Sequence, residues 1–189
     1  QHFLPEAMQT NLTKHLIRVE NFANKHINII IDPIRRLASL ISTDRSNVDT
    51  IAQRLKFSND QYKKLKGLLV PKWQATWNID DVSLRAGLYQ FGAAYIIDLS
   101  LQQWSRMLAN TDPLPQEQTD AWLRIINTAN CWKDRTFPIK GQDVVNLGIA
   151  EGPKISNILK KLENWWINDG CTAKRSACLK KLRQVSLDE

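Results

Sequence analysis

Phe137–Gly170 reads FPIKGQDVVNLGIAEGPKISNILKKLENWWINDG, and its glycines and prolines specify a helix, a turn and a second helix. Gly141 and Gly148 bracket a first helix of roughly two turns, Gly152-Pro153 opens the second with Pro at its first position, and Gly170 closes it near its C-cap. Ile155, Ile158, Leu159, Leu162 and Trp166 recur at helical spacing on one face, and Asn157, Lys160, Lys161 and Asn164 fall opposite. The first face is expected in the core and the second in water. Lys154 breaks a local rule, because the first turn of a helix already presents positive potential and favours an acidic side chain. A cation there costs some stability but improves a seat for phosphate, with Lys161 about two turns along on the same side. The alternative is that Glu151 neutralises Lys154 as a surface pair worth little.

Working outward, the same periodicity recurs through the chain. Pro5 to Lys25 reads as a helix with Met8, Leu12, His15-Leu16, Val19 and Phe22-Ala23 as its apolar stripe. Asp32-Pro33 caps another, with Ile34, Leu37, Ala38 and Ile41 inward and Arg35 and Arg36 projecting near its start. Asn47 to Phe57 follows, and Ser58 supplies an N-cap for Asn59 to about Val70. Trp73 and Trp77 share a face if helix resumes after Pro71; they suit core packing, or base stacking if exposed. Asp80-Asp81 reads as a cap for an apolar stretch reaching Ala109, either one buried helix or a pair broken near Gly92. Asn110 to Pro115, NTDPLP, is the clearest linker. Gln116 to Trp132 resumes with Trp122, Ile125, Ile126, Ala129 and Trp132 on one stripe, and after Gly170 Thr172 can cap a final basic helix. The one β-branched run, Ile27 to Ile31, is short. The expected fold is all-α, with about eight or nine helices, no substantial β-sheet, and two subdomains, 1–110 and 111–189.

A hydrophobic content of 43% with seven Trp fits a packed globular protein rather than a disordered one. The net charge of +7 favours an anionic partner, although it also serves solubility. Cys131, Cys171 and Cys178 match no zinc spacing, so a reduced, cytoplasmic protein is expected. His2, His15 and His26 lack partners for a metal site. No run has the length of a membrane span, no signal peptide is visible, and a chain that begins with Gln1 suggests a piece of a longer protein. Nucleophile elbows, P-loops, dinucleotide fingerprints and paired D-x-D carboxylates are all missing. Lys140 with Asp143 reads as a local ion pair fixing the short helix, with no partner for catalysis.

The run FPIKGQDVVNLGIAEGPKISNILKKLENWW resembles the C-terminal region of bacterial tRNA nucleotidyltransferases of the CCA-adding and poly(A) polymerase family, in which a G-x-D helix precedes an L-G-I-x-x-G-P turn and helix. LPEA at Leu4 to Ala7, DPIRRLASLI at Asp32 to Ile41, RLKFSNDQ at Arg54 to Gln61 and RAGLYQFGAAYIIDL at Arg85 to Leu99 resemble the neck and body helices that follow the catalytic head. The resemblance covers nearly the whole chain. It implies a neck, body and tail that grip the acceptor arm of tRNA, while a separate N-terminal head of the same polypeptide binds ATP or CTP with Mg2+ and adds nucleotides. No cofactor is expected in this chain, and the fragment alone is not expected to catalyse transfer. Some relatives carry a His-Asp phosphohydrolase-like signature after the leucine-alanine-rich helix; here STDRSN supplies Asp44 but no histidine, so that activity is unsupported.

A protein that accepts many tRNAs should read backbone shape and phosphates, because the deep major groove of A-form RNA hides its base edges. The candidate phosphate contacts are Lys140, the turn from Gly148 through Gly152 to Lys154, Lys161, and the group Lys174, Arg175, Lys180 and Lys181, with Arg35 and Arg36 as second choice. Two rivals stand beside this reading, a helical protein-interaction scaffold and a DNA-binding helix-hairpin-helix module. The latter usually has tighter glycine spacing than Gly148 and Gly152 provide.

Overall fold

The computed structural model describes residues 7–41, 48–149 and 152–187. Among these, ten helices and no strand are present: α1 Thr10–His26, α2 Pro33–Leu40, α3 Val48–Arg54, α4 Asn59–Leu69, α5 Asp81–Phe91, α6 Ala93–Asn110, α7 Gln116–Asn130, α8 Gly141–Val145, α9 Pro153–Asn168 and α10 Arg175–Leu187. The fold is all-α. One isolated bridge joins Ala7 to Ile41.

Local chemistry places most helix starts. Asp32 accepts the Arg35 N–H at 2.9 Å, with Pro33 in the first turn of α2. Ser58 and Gln61 form a reciprocal capping box at the start of α4. The Asp80 carboxylate accepts the N–H groups of Val82 and Ser83, each at 2.9 Å, and so opens α5. Gly92, at φ +83°, breaks the apolar stretch into α5 and α6. Other expectations shift. α1 begins at Thr10 rather than Pro5, and Pro5 and Glu6 lie outside the described residues. No helix resumes between Pro71 and Asp80, so Trp73 and Trp77 sit half-buried in irregular chain. Thr172 donates its hydroxyl to the Asp169 carboxylate at 2.6 Å, back toward α9 instead of forward to α10.

The chain divides into two compact units, and each is discontinuous in sequence: the first runs to Ile79 and resumes over Ala93–Trp132, and the second comprises Asp80–Gly92 with the chain from Lys133 onward. This division replaces the boundary expected at residue 110. NTDPLP is a bend between α6 and α7, which pack together in the same unit, and Arg18 of α1 ties it down through Asp112 at 2.7 Å. A proline-rich stretch marks where the chain turns, not where packing stops.

In the first unit α6 packs against α1 and α7, and α2 packs against α1 and α4. α6 is buried on several sides through Ile96, Leu99, Leu101 and Trp104, and α7 contributes Trp122, Ile125, Ile126 and Ala129. The second unit centres on α9. Ile158, Leu162 and Trp166 are buried there with Ile139, Val144, Cys178 and Leu182, while Asn157, Lys160, Lys161 and Asn164 are exposed as their spacing predicts. Tyr89 of α5 stands edge-on to Trp166 at 5.1 Å between ring centres, and Phe137 packs on the same indole at 5.6 Å.

Candidate nucleic-acid interface

α8 is short because its ends are settled within a few residues. The Asp143 carboxylate accepts the Lys140 backbone N–H at 2.8 Å and closes its start; Asn146 caps its end. Arg175, the first residue of α10, forks onto the same carboxylate and also donates to the Pro138 carbonyl. The Arg175 guanidinium, followed by the Lys140 N–H, holds the Asp143 carboxyl below its ordinary value of 3.8. The pair expected between Lys140 and Asp143 is therefore made by the Lys140 main chain, and Arg175 supplies the charge.

Two glycines shape the turn into α9. Gly148 has φ +85° and ends the α8 turn through its N–H to the Val145 carbonyl at 2.8 Å. Gly152, at φ +151° and ψ −170°, occupies a region essentially restricted to glycine. Pro153 follows at the first helical position, and the first turn of α9 carries neither an acidic residue nor a side-chain cap. Pro153 has no N–H and the Ile155 N–H is taken by the Gly152 carbonyl at 3.1 Å, so the positive end of the helix is presented by an exposed Lys154 with no acidic residue in that turn. Glu151 lies outside the described residues, as does the surface pair it would make with Lys154. Lys161 is exposed seven residues on, about 10 Å along the axis on the same side.

The remaining candidates divide by what they touch. Lys140, Lys174 and Lys180 are exposed and Lys181 is half-buried. Lys174 precedes α10, and Lys180 and Lys181, one residue apart, project about 100° from each other around it, so these cations do not line one face. Arg175 is occupied by Asp143 and Pro138, which makes it a structural staple between α8 and α10. Arg35 and Arg36 belong to the first unit, and Arg35 does not project: it is 2% exposed. Its guanidinium meets Glu20 at 2.6 Å and Asp98 at 2.6 Å and donates to the Ile30 carbonyl at 2.8 Å. Arg36 is half-buried and donates from Nε to Glu20 at 2.8 Å. Buried Asp98 and Glu20 demand a partner, and the fork of arginine supplies two bonds at once. The arginine pair consequently offers no phosphate a free guanidinium from Arg35.

Sequence reading missed Glu20, which lies on the buried side of α1 next to Val19 and Ala23; an acid inside an apolar stripe is the signal. It also missed the Tyr89–Glu163 hydrogen bond in the second unit, which no spacing announces. No described helix is long and apolar enough to cross a membrane, and no described group of His, Cys, Asp and Glu is placed to hold a metal ion. Neither a protein-family model nor a curated protein matches the chain.

Proposed function

We propose that this chain binds RNA, the acceptor arm of tRNA in particular, through the phosphate-facing start of α9 and the cations around it. The observation that carries the reading is the start of α9: a turn bounded by Gly148 and Gly152 at positive φ, an acid-free first helical turn, and exposed Lys154 on the side that also carries Lys161. Between Pro153 and Leu187 the chain sets Lys154, Lys160, Lys161, Lys174, Arg175, Lys180, Lys181 and Arg183 against Glu163 and Asp169. Such a surface suits a sugar-phosphate backbone read by shape rather than by base sequence. On this reading the chain works in the cytoplasm as the neck, body and tail of a tRNA nucleotidyltransferase or poly(A) polymerase. A catalytic head of the same polypeptide would then hold ATP or CTP and Mg2+, and this chain's residues would orient the acceptor end.

Titration with tRNA and with duplex DNA at several salt concentrations tests the reading. RNA should bind more tightly, with an affinity that falls as salt rises; each phosphate contact removed should lower the salt slope by about 0.9, the duplex-DNA figure, or somewhat less. Lys154→Glu with Lys161→Glu should weaken tRNA binding by about tenfold or more while circular dichroism stays unchanged. Unchanged affinity in that variant would remove the start of α9 from the interface. Equal affinity for duplex DNA would favour the helix-hairpin-helix rival, and no affinity for either would favour the protein-interaction scaffold.

A further inference from the structure

In the first unit the irregular segment after α4 runs beside α6, and the two enclose a cleft of about 360 Å3. That is within the roughly 300–1,000 Å3 usual for small-molecule sites. Its wall is fastened on both sides. The Tyr95 hydroxyl donates to the Gly67 carbonyl at 3.1 Å and accepts the Lys72 N–H at 3.1 Å, and Ala75 is buried. Gly67 is needed for this approach, since a Cβ there would stand 3.0 Å from Tyr95 Cε2. From Tyr95, α6 presents Leu99, Gln103 and Arg106 on one face, and these line the cleft opposite Lys72, Trp73 and Gln74.

The lining is unbalanced in charge. Lys72 and Arg106 contribute to it and no Asp or Glu does. Among the described residues the only hydrogen-bond partner of Arg106 is the Gln103 amide oxygen, at 3.5 Å. Packing around its guanidinium pulls the Arg106 pKa below the usual arginine value through desolvation. Arg106 stands at the exposed edge of the cleft, and no carboxylate of the lining offsets its charge. Trp73, half-buried, lines the cleft and makes no ring contact with another described aromatic residue. A planar aromatic beside two uncompensated cations and two amides matches the chemistry of a nucleotide: a base to stack, a phosphate to pair, and base or sugar edges to hydrogen-bond.

We propose that this cleft binds one nucleoside monophosphate unit, with its base against Trp73, its phosphate between Lys72 and Arg106, and Gln74 and Gln103 at its polar edges. The unit is either a free mononucleotide or an unpaired nucleotide of an RNA strand. The site lies in the first unit and does not depend on the start of α9. Because stacking has little base preference, it discriminates weakly among bases.

Calorimetric titration of the full chain with AMP, with a short single-stranded oligoadenylate RNA and with inorganic phosphate tests this. AMP or the oligonucleotide should bind at least about tenfold more tightly than phosphate, since base stacking adds to phosphate pairing. Arg106→Gln and Trp73→Leu should each weaken that binding by about tenfold. Lys154→Glu with Lys161→Glu should leave AMP binding unchanged. Binding of the oligonucleotide alone assigns the site to RNA, and equal binding of AMP assigns it to a free nucleotide. If neither binds, if phosphate binds as well as AMP, or if Arg106→Gln binds like the parent chain, the proposal is overturned. Oligonucleotide binding lost in the Lys154/Lys161 variant but kept in Arg106→Gln would overturn this site while leaving the α9 reading intact. Arg106→Gln lies at the cleft edge on an exposed residue and keeps the test open should Trp73→Leu fail to fold.

Discussion

Arg35 sits between Glu20 and Asp98, with Lys64 completing the second carboxylate at 2.9 Å and Arg36 the first. Each charge in this cluster has an opposite neighbour, so the arrangement tolerates burial only as a whole. Arg35→Ala should cost about 3–5 kcal/mol in urea unfolding, because two buried carboxylates lose their fork. Arg35→Lys should recover only part of that, since an ammonium cannot make the bidentate contacts. A second residue-scale test concerns Tyr89. Burial first, and then the hydrogen bond to Glu163, push its phenol from 10.0 up to about 12. A folded-state value above the unfolded one means that the contribution is complete below pH 10.0 and is lost as pH rises through about 12. Tyr89→Phe should therefore be less stable than the parent at neutral pH and show a smaller alkaline loss, measured as urea midpoints along a pH series.

Helix boundaries in this chain are set by short-range chemistry, which is why so many are legible in the sequence. Asp32, Ser58, Asp80, Gly152-Pro153 and Gly170 act on backbone groups within a few residues of themselves. Ser58→Ala should cost about 1 kcal/mol in thermal or urea unfolding, because the Gln61 N–H loses its acceptor. Gly170 combines φ +70° with a neighbour, Arg85 Nε, 3.0 Å from where a Cβ would stand. Gly170→Ala should then cost about 1–2 kcal/mol through the left-handed backbone alone, and the crowding of Arg85 adds to it. Thr172 was misread because a hydroxyl between two helices can serve either one, and its nearest acceptor belongs to the helix that has just ended. The Lys140–Asp143 pair was half legible: the spacing placed Asp143 on the α8 start, but its charged partner comes from α10, 32 residues away.

At the scale of the molecule, the chain crosses between its two units at Ile79–Asp80, at Gly92–Ala93 and at Trp132–Lys133. Cutting at the proline-rich bend should fail to give two folded pieces. A 1–110 fragment lacks α7, whose Trp122, Ile125, Ile126 and Ala129 are fully buried, and a 111–189 fragment lacks α5, which brings Tyr89 to Trp166. Circular dichroism and proteolysis should show both fragments with less helix and less protection than the intact chain; two stable fragments would contradict the discontinuous division. The candidate interface divides in the same way. Exposure of Lys160 and Lys161 follows from helical periodicity along α9, whereas the roles of Arg35 and Arg175 follow from carboxylates distant in sequence.

The amino-acid sequence by itself determined that the chain is helical, where most helices begin, and that a glycine-bounded turn leads into an α9 whose first turn carries no acid, because each depends on residues within about one helical turn. Tertiary structure alone decided that α5 leaves the unit of α6, that Arg35 is buried and Arg175 stapled, and that Trp73 shares a cleft with Arg106. Those outcomes depend on which distant surfaces exclude water together, and residue spacing along one helix carries no record of its neighbours.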